Sequence, residues 1–322
     1  MRQLLRAATV FIFGFCSLSL LAQEYPSKPV RFISPYPPGG VVDIASRLVG
    51  VKLSERWKQQ VIVENRTGGG GTIGSDHVAK SAPDGYTILF ATVSEFCITP
   101  HLYSKLNYDS RRDFTPVLIA TETPLMWAAH NSAPFANLQD LIAYSKTLPG
   151  GLSYASPGLG TLNHLTGERL VLETGAKLVH VPYKGGGPAG TALAGGEVPL
   201  GMLAASSAAP HIKSGRVKAI AVASARRIGL GPDWPTIIES GIPGFTASQW
   251  VGVAAPTGTP RAVIDKLNAD INAVLKMPDV RERLNALGSE PAGSSSEEML
   301  ARIRTESAQF GSIVERIKLK LD

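Results

Sequence analysis

The sequence predicts an α/β protein with largely parallel sheets, and three observations carry that expectation. Short β-branched runs alternate with helical apolar periods from VRFIS as far as WVGVAA, the pattern of strands crossed over by helices. Glycine- and proline-rich clusters stand at four strand-to-helix junctions, PYPPGG, RTGGGGTIGS, ASPGLGT and PYKGGGPAG, two early and two in mid-chain, as two lobes facing each other would place them. The last third changes to consecutive helices, which fits a chain returning to buttress a unit already built.

The elements follow in order. Arg2 and Arg6 precede an apolar run from about Ala7 to Ala22, the shape of an export leader. The run is short for a bilayer span, although Leu20 fits the small-residue cleavage rule imperfectly and leaves a retained anchor as the alternative. Phe15 before Cys16 argues against a lipoprotein site. Next, VRFIS (30–34) reads as a strand, and Val41, Ala45, Val49, Leu53 and Trp57, with Ile44 and Leu48 beside them, form the ridge of a helix. Further strands are VIVEN (61–65), YTILFAT (86–92), PVLIA (116–120), LSYAS (152–156), KLVHV (177–181), VKAIAVAS (217–224) and WVGVAA (250–255). Thr259 as N-cap and Pro260 as first helical residue open a helix carrying Val263, Ile264, Leu267, Ile271 and Val274. Pro278 restarts the helix and Gly288 ends it. Ser295 and Glu298 fit a capping box ahead of a last helix with Ile303, Phe310, Val314 and Ile317 on one face.

Composition narrows the chemistry. The 322 residues hold 32 basic and 26 acidic side chains, and loss of a 22-residue leader leaves 30 against 26 without charged blocks. That balance is too mild for a nucleic-acid partner, yet it does not repel an anion. Only Cys97 remains beyond the leader, so no intrachain disulfide forms, and its apolar setting reads as a small buried hydrophobe.

In a parallel α/β sheet the loops after strand carboxyl ends line a ligand crevice, and helix starts there expose unpaired N–H groups that suit an anion. Glycine lets a ligand approach the backbone, and Pro37 and Pro38 stiffen the loop. PPGG is therefore a candidate carboxylate or phosphate cradle; the alternative is a plain tight turn. Nucleotide motifs do not fit, since GGGGTIGS lacks the lysine of a phosphate loop and Asn163 stands where GxGxxG needs its third glycine. There is no GxSxG elbow. The six histidines show no metal-ligand spacing, and His164 with Glu168 at i+4 reads as a surface pair rather than as metal ligands. No cofactor and no metal are expected. His164, in the first turn after GLGT, can donate into the crevice. Asp43, in the first turn of its helix, is read as a cap or loop brace ahead of a contact to a ligand amine. Tyr183 and Lys184 are surface residues unless the lysine strengthens anion binding.

Taken together and in order, YPSKPVRFISPYPPGGVVDIASRLV, VIVENRTGGGGTIGSDHVAKSAPDGYTILF, LSYASPGLGTLNHL, VHVPYKGGGPA, PHIKSGRVKAIAVASARR and APTGTPRAVIDKLN resemble the Bug proteins, extracytoplasmic solute receptors of the tripartite tricarboxylate transporter (TctC) type. The resemblance covers essentially the whole chain after the leader. It implies a periplasmic binding protein of type II fold, with two lobes, a hinge and an interlobe cleft that closes on a small carboxylate, and membrane transporter subunits or a sensor kinase as partners of a monomeric receptor. Lobe 1 is then expected at 23–122 and 250–322, and lobe 2 at 123–249. Carried over onto these positions, the ligand contacts are Tyr36, Pro38, Gly39, Gly40, Asp43 and Thr92 from the first lobe and Ser156, Gly158, Gly160, Thr161, His164 and Lys184 from the second. The chain departs from its relatives at Thr99, at Glu95 and Phe96, which replace smaller or polar residues, and at Pro199, Leu203 and Ala204, which replace acidic or polar ones. Those losses imply a more apolar pocket and a less polar acid. The alternative function is an exported hydrolase using Ser156 or Ser94 with His164.

Overall fold

The computed structural model describes residues 25–321; the leader expected at 1–22 lies outside the described residues. In chain order the elements are β1 (Val30–Ser34), α1 (Val41–Trp57), β2 (Val61–Asn65), α2 (Thr72–Ala79), β3 (Thr87–Thr92), α3 (Thr99–Leu102), β4 (Phe114–His130), α4 (Leu138–Thr147), β5 (Leu152–Ser156), α5 (Leu162–Thr174), β6 (Leu178–Pro182), α6 (Gly186–Gly195), β7 (Leu200–Ala204), α7 (Ala205–Lys213), β8 (Val217–Val222), β9 (Ser248–Pro256), α8 (Arg261–Leu275), α9 (Pro278–Ala286), β10 (Glu290–Pro291) and α10 (Ser296–Arg316). Among the described residues no helix is long and apolar enough to cross a membrane.

The strands run β2-β1-β3-β9-β4-β7-β5-β6, with β8 and β10 also paired to β4. Parallel pairing joins β1 to β2 and β3 in one lobe, and β5 to β6 and β7 in the other. Every strand that pairs with β4 or with β9 does so antiparallel. The expectation of largely parallel sheets therefore holds within each lobe and fails where the lobes join, because β4 and β9 run against each other there. β4 is one 17-residue strand: Phe114 to Pro124 pair with β9, and Leu125 to Ala129 pair with β7. Pro124 cannot donate to a ladder, and it stands where the strand passes from one sheet to the other.

The sequence reasoning missed the second half of β4 and all of β7. Both are continuously apolar runs (PLMWAA and LGMLA), buried throughout except at Ala204, so neither shows the alternation that marks a half-buried strand. At α8 the cap falls one residue later than expected, on extended Pro260. The capping box of α10 is present, with the Ser295 side chain accepting from Glu298 N and Glu298 accepting from Ser295 N.

Packing follows the predicted ridges in part: on α1, Ala45, Val49 and Leu53 are buried as expected, but Val42 joins them while Val41, Ile44, Leu48 and Trp57 are half-buried. Val42, Ala45, Val49 and Leu53 of α1 bury against β1, β3 and β9 beside Ile264, Leu267 and Ile271 of α8. The two helices are also tied by Asp270, whose carboxylate accepts from Trp57 Nε1 and Arg56 Nε at 2.7 Å and from Lys266 Nζ at 3.0 Å. A second core forms between β4, β7, α6 and α7, and a third cluster, including Leu162, Leu165, Phe310 and Ile313, joins α5 of the second lobe to α10 of the first. Thus α10 backs both lobes.

Candidate functional site

Parallel pairing puts the carboxyl ends of β1 and β3 side by side, so Tyr36 after β1 and Thr92 at the end of β3 meet, with Tyr36 Oη 3.3 Å from Thr92 Oγ1. Pro37 to Gly40 are exposed and lead into α1. Asp43 turns back on this loop: Oδ2 accepts from Gly39 N at 3.0 Å, and Oδ1 accepts from Arg47 Nε and Asn65 Nδ2 at 2.9 and 2.8 Å. Asn65 Nδ2 also donates to Tyr36 O, so the loop is held from both ends. Burial alone would raise the Asp43 pKa; the bonds from Arg47, Gly39 and Asn65 outweigh it and hold the carboxyl below its usual range. The bracing role expected of Asp43 is the one its side chain performs.

Glu95 is the first-lobe group that the sequence reasoning passed over as a mere departure from relatives. Its Oε2 accepts from Thr92 N at 2.8 Å and from Thr92 Oγ1 at 2.9 Å, and its Oε1 accepts from Tyr36 Oη. Only 1% of the residue is exposed, and burial pushes the carboxyl above its ordinary pKa. A Cβ placed on Gly71, which leads into α2 with φ +98°, would overlap Glu95 Oε1. Thr92, Val93, Ser94 and Glu95 have the T-x-x-E spacing of a capping box, legible in the sequence, but only its glutamate half forms: Glu95 accepts from Thr92 N, while Thr92 Oγ1 accepts from Ser94 N at 3.2 Å.

In the second lobe, Thr161 caps α5, its Oγ1 accepting from His164 N at 3.3 Å and donating to Gly158 O at 2.8 Å. The expectation that His164 donates into the crevice is corrected: the ring is 5% exposed, its Nδ1 accepts from Gly160 N at 3.1 Å, and Nε2 lies 3.7 Å from Glu168 Oε1. His164 therefore braces the glycine loop from inside. Ser156 does not meet His164, as the hydrolase alternative requires, but lies 2.5 Å from His180 Nε2 and is buried. The two imidazoles stack at 3.8 Å, and burial, then for His164 the neighbouring ring, lowers both pKa values to about 4. The PYKGGG loop is tied alongside by Tyr183 N donating to Ser156 O and Gly185 N to Pro157 O, with Lys184 exposed between them.

The lobes meet at Gly160, where a Cβ would come within 2.9 Å of Leu102 Cδ1 on α3 and of Leu321 Cδ1 in the C-terminal tail. The recesses of about 650 and 560 Å³ along the crossing strands contain none of the cradle loops. Among the described residues no group of three or more His, Cys, Asp or Glu is placed to hold a metal.

Most of the polar side chains at these loops are engaged in bracing, so the donors left for a ligand are main-chain. Ile44 N is the first in α1 to reach back to a helical carbonyl, Gly40 O, which leaves the N–H groups of Val41 and Val42 without an intrahelical acceptor at an exposed loop. Gly40 gives a clean test because its φ of −79° suits any residue and an added Cβ would find only Pro37 O within 4 Å. Gly40→Val is expected to change unfolding stability by less than about 1 kcal/mol while reducing anion affinity at least tenfold, read by denaturation and calorimetry. Unchanged affinity would remove this loop from the site. Gly160 is a poorer probe, since bulk there strikes Leu102 and Leu321 directly.

Comparison with known proteins adds three findings. The profile of the tripartite tricarboxylate transporter family receptor (TctC) matches residues 45–319. Protein BugT of Bordetella pertussis (strain Tohama I) is 36% identical over 301 residues, covering 93% of this chain and 92% of that protein. Two solved structures align over 90% of this chain: Rpa4515 of R. palustris with adipate (32% identity, TM-score 0.77, 97% of that chain) and MatC (Rpa3494) from Rhodopseudomonas palustris with bound malate (31% identity, TM-score 0.74, 100% of that chain).

Proposed function

We propose, for a chain that belongs to the tripartite tricarboxylate transporter receptor family, that it captures a small organic carboxylate between its lobes and delivers it to the membrane subunits of a transporter. Lobe 1 is taken as 23–122 with 250–322 and lobe 2 as 123–249, with the hinge at the crossing of β4 and β9. The leader carries the chain to the periplasm, where it acts as a monomer. The observation that carries this reading is that a glycine loop follows the carboxyl end of a parallel-paired strand in each lobe, PPGG after β1 and PGLG after β5, and that the first N–H groups of α1, beside Pro38, Gly39 and Gly40, lack an intrahelical acceptor. Tyr36 and Gly158 wall the cleft, Lys184 adds a cation at its rim, and Asp43, Ser156, Thr161 and His164 hold the loops in shape. The adipate and malate bound by the two related structures fit the same chemistry.

Closure around the ligand strengthens each N–H bond by excluding water, and it occurs only to the extent that the ligand favours the closed form. A screen of small carboxylates against ligand-free protein is expected to raise the melting temperature, with stabilisation of about 2.7 kcal/mol at a ligand concentration of 100 Kd. No shift with any carboxylate, together with a shift from a different solute class, would overturn the reading. A sensor role uses the same site, and capture of a membrane kinase instead of transporter subunits would support it.

A further inference from the structure

Glu95 spends the donors of the first-lobe cradle on the protein itself. The hydroxyl and amide of Thr92 bond one carboxylate oxygen, the hydroxyl of Tyr36 bonds the other, and Gly71 closes over it without a side chain. A capping box accounts for the bond to Thr92 N alone. It does not account for the capture of Tyr36 from a different loop, nor for the burial of the whole side chain. The groups bonded to Glu95 are neutral, so no paired cation cancels its charge. A carboxylate arriving at the first lobe would meet a resident one already holding these hydroxyls.

We propose that Glu95 sets the ligand class: by occupying the hydroxyl and amide donors at the end of β3, it makes this receptor favour acids with a single carboxylate over dicarboxylates. The inference rests on the carboxylate-receptor reading and deepens it. The single ligand carboxylate is held at the N–H groups of α1.

Calorimetry of the purified protein with straight-chain monocarboxylates and dicarboxylates of four to six carbons tests it. The tightest monocarboxylate is expected to bind about tenfold or more better than the tightest dicarboxylate, since a second ligand carboxylate finds the donors of Tyr36 and Thr92 already taken. Glu95→Gln, which removes the charge at nearly constant shape, is expected to shrink that ratio at least about threefold by improving dicarboxylate binding. Equal or better binding of dicarboxylates by the unaltered protein overturns the inference and leaves the receptor reading intact, and it does so even if Glu95→Gln fails to fold. An unchanged ratio in a folded Glu95→Gln protein also overturns it. Absence of binding by both series overturns this inference and leaves the receptor reading to the wider carboxylate screen.

Discussion

Acidification from pH 7.5 to 5 removes about 4 kcal/mol of folding stability through His164 and His180, about 2 kcal/mol from each ring. Both rings are held neutral in the fold, with pKa values lowered to about 4, His164 by burial and then by His180, and His180 by burial. An unfolded histidine takes its proton near pH 6.5. The unfolded chain therefore binds protons that the native chain refuses. The stabilisation is complete above about pH 6.5 and drains away as pH falls towards 4. Geometry explains the refusal: His164 Nδ1 is needed as acceptor for Gly160 N, and two charged rings cannot stack at 3.8 Å without repulsion. Glu95 and Glu168 act in the opposite sense, because burial raises their pKa values and the native state binds their protons more readily. A difference measurement separates them. In His164→Asn/His180→Gln the amides replace the bonding nitrogens without titrating, and both glutamates remain. Chemical denaturation at the two pH values is expected to show a slope about 4 kcal/mol shallower in the double variant. The same slope in both proteins would refute the assignment. Because these rings support residues 156–164, ligand affinity is expected to fall along with stability.

How much of this was legible beforehand depends on what each stretch spends its residues on. The parallel strands β1, β2 and β5 could be read to the residue, since VRFIS, VIVEN and LSYAS are short β-branched or aromatic runs bounded by turn residues. The crossing strand was read only as PVLIA because the apolar run that continues it past Pro124, where the strand passes from one sheet to the next, shows no alternation. In the site, the backbone logic of PPGG and GLGT was visible, whereas side-chain targets were not. His164 and Ser156 sit eight positions apart at a loop and invite pairing, yet they part: His164 accepts from Gly160 N within its own loop, and Ser156 takes a partner that only the tertiary fold supplies, His180 on neighbouring β6. Glu95 is the instructive miss, because its T-x-x-E spacing was local and readable, while the Tyr36 bond that gives it importance comes from 59 residues away.

Arg302→Met is expected to lower unfolding stability by about 2–3 kcal/mol, somewhat less than breaking a fully buried ion pair costs, because its partners keep some solvent contact. Arg302 on α10 reaches both crossing strands at once. Nη2 donates to Ser248 Oγ on β9 at 2.7 Å, Nη1 pairs with Glu122 on β4, and Nε donates to Glu306 Oε1 at 2.7 Å. Ser248 Oγ in turn donates to Glu122 Oε2 at 2.7 Å, and Trp250 Nε1 donates to Glu306 Oε2 at 2.8 Å. Removing the guanidinium strands two carboxylates that share it, whose side chains are 32% and 19% exposed. The cost should come from those stranded charges more than from the lost attraction, so Glu122→Gln/Arg302→Met/Glu306→Gln is expected to recover most of the loss. Urea denaturation at unchanged m-value reads both proteins. A triple variant no more stable than Arg302→Met would mean that the network stabilises through geometry rather than charge. The position matters for the site because Trp250, fully buried, stacks on Phe96 at 5.6 Å, and Phe96 follows Glu95 in the chain. Loosening the brace at the strand crossing therefore propagates through one aromatic pair to the carboxylate that holds the first-lobe loops together.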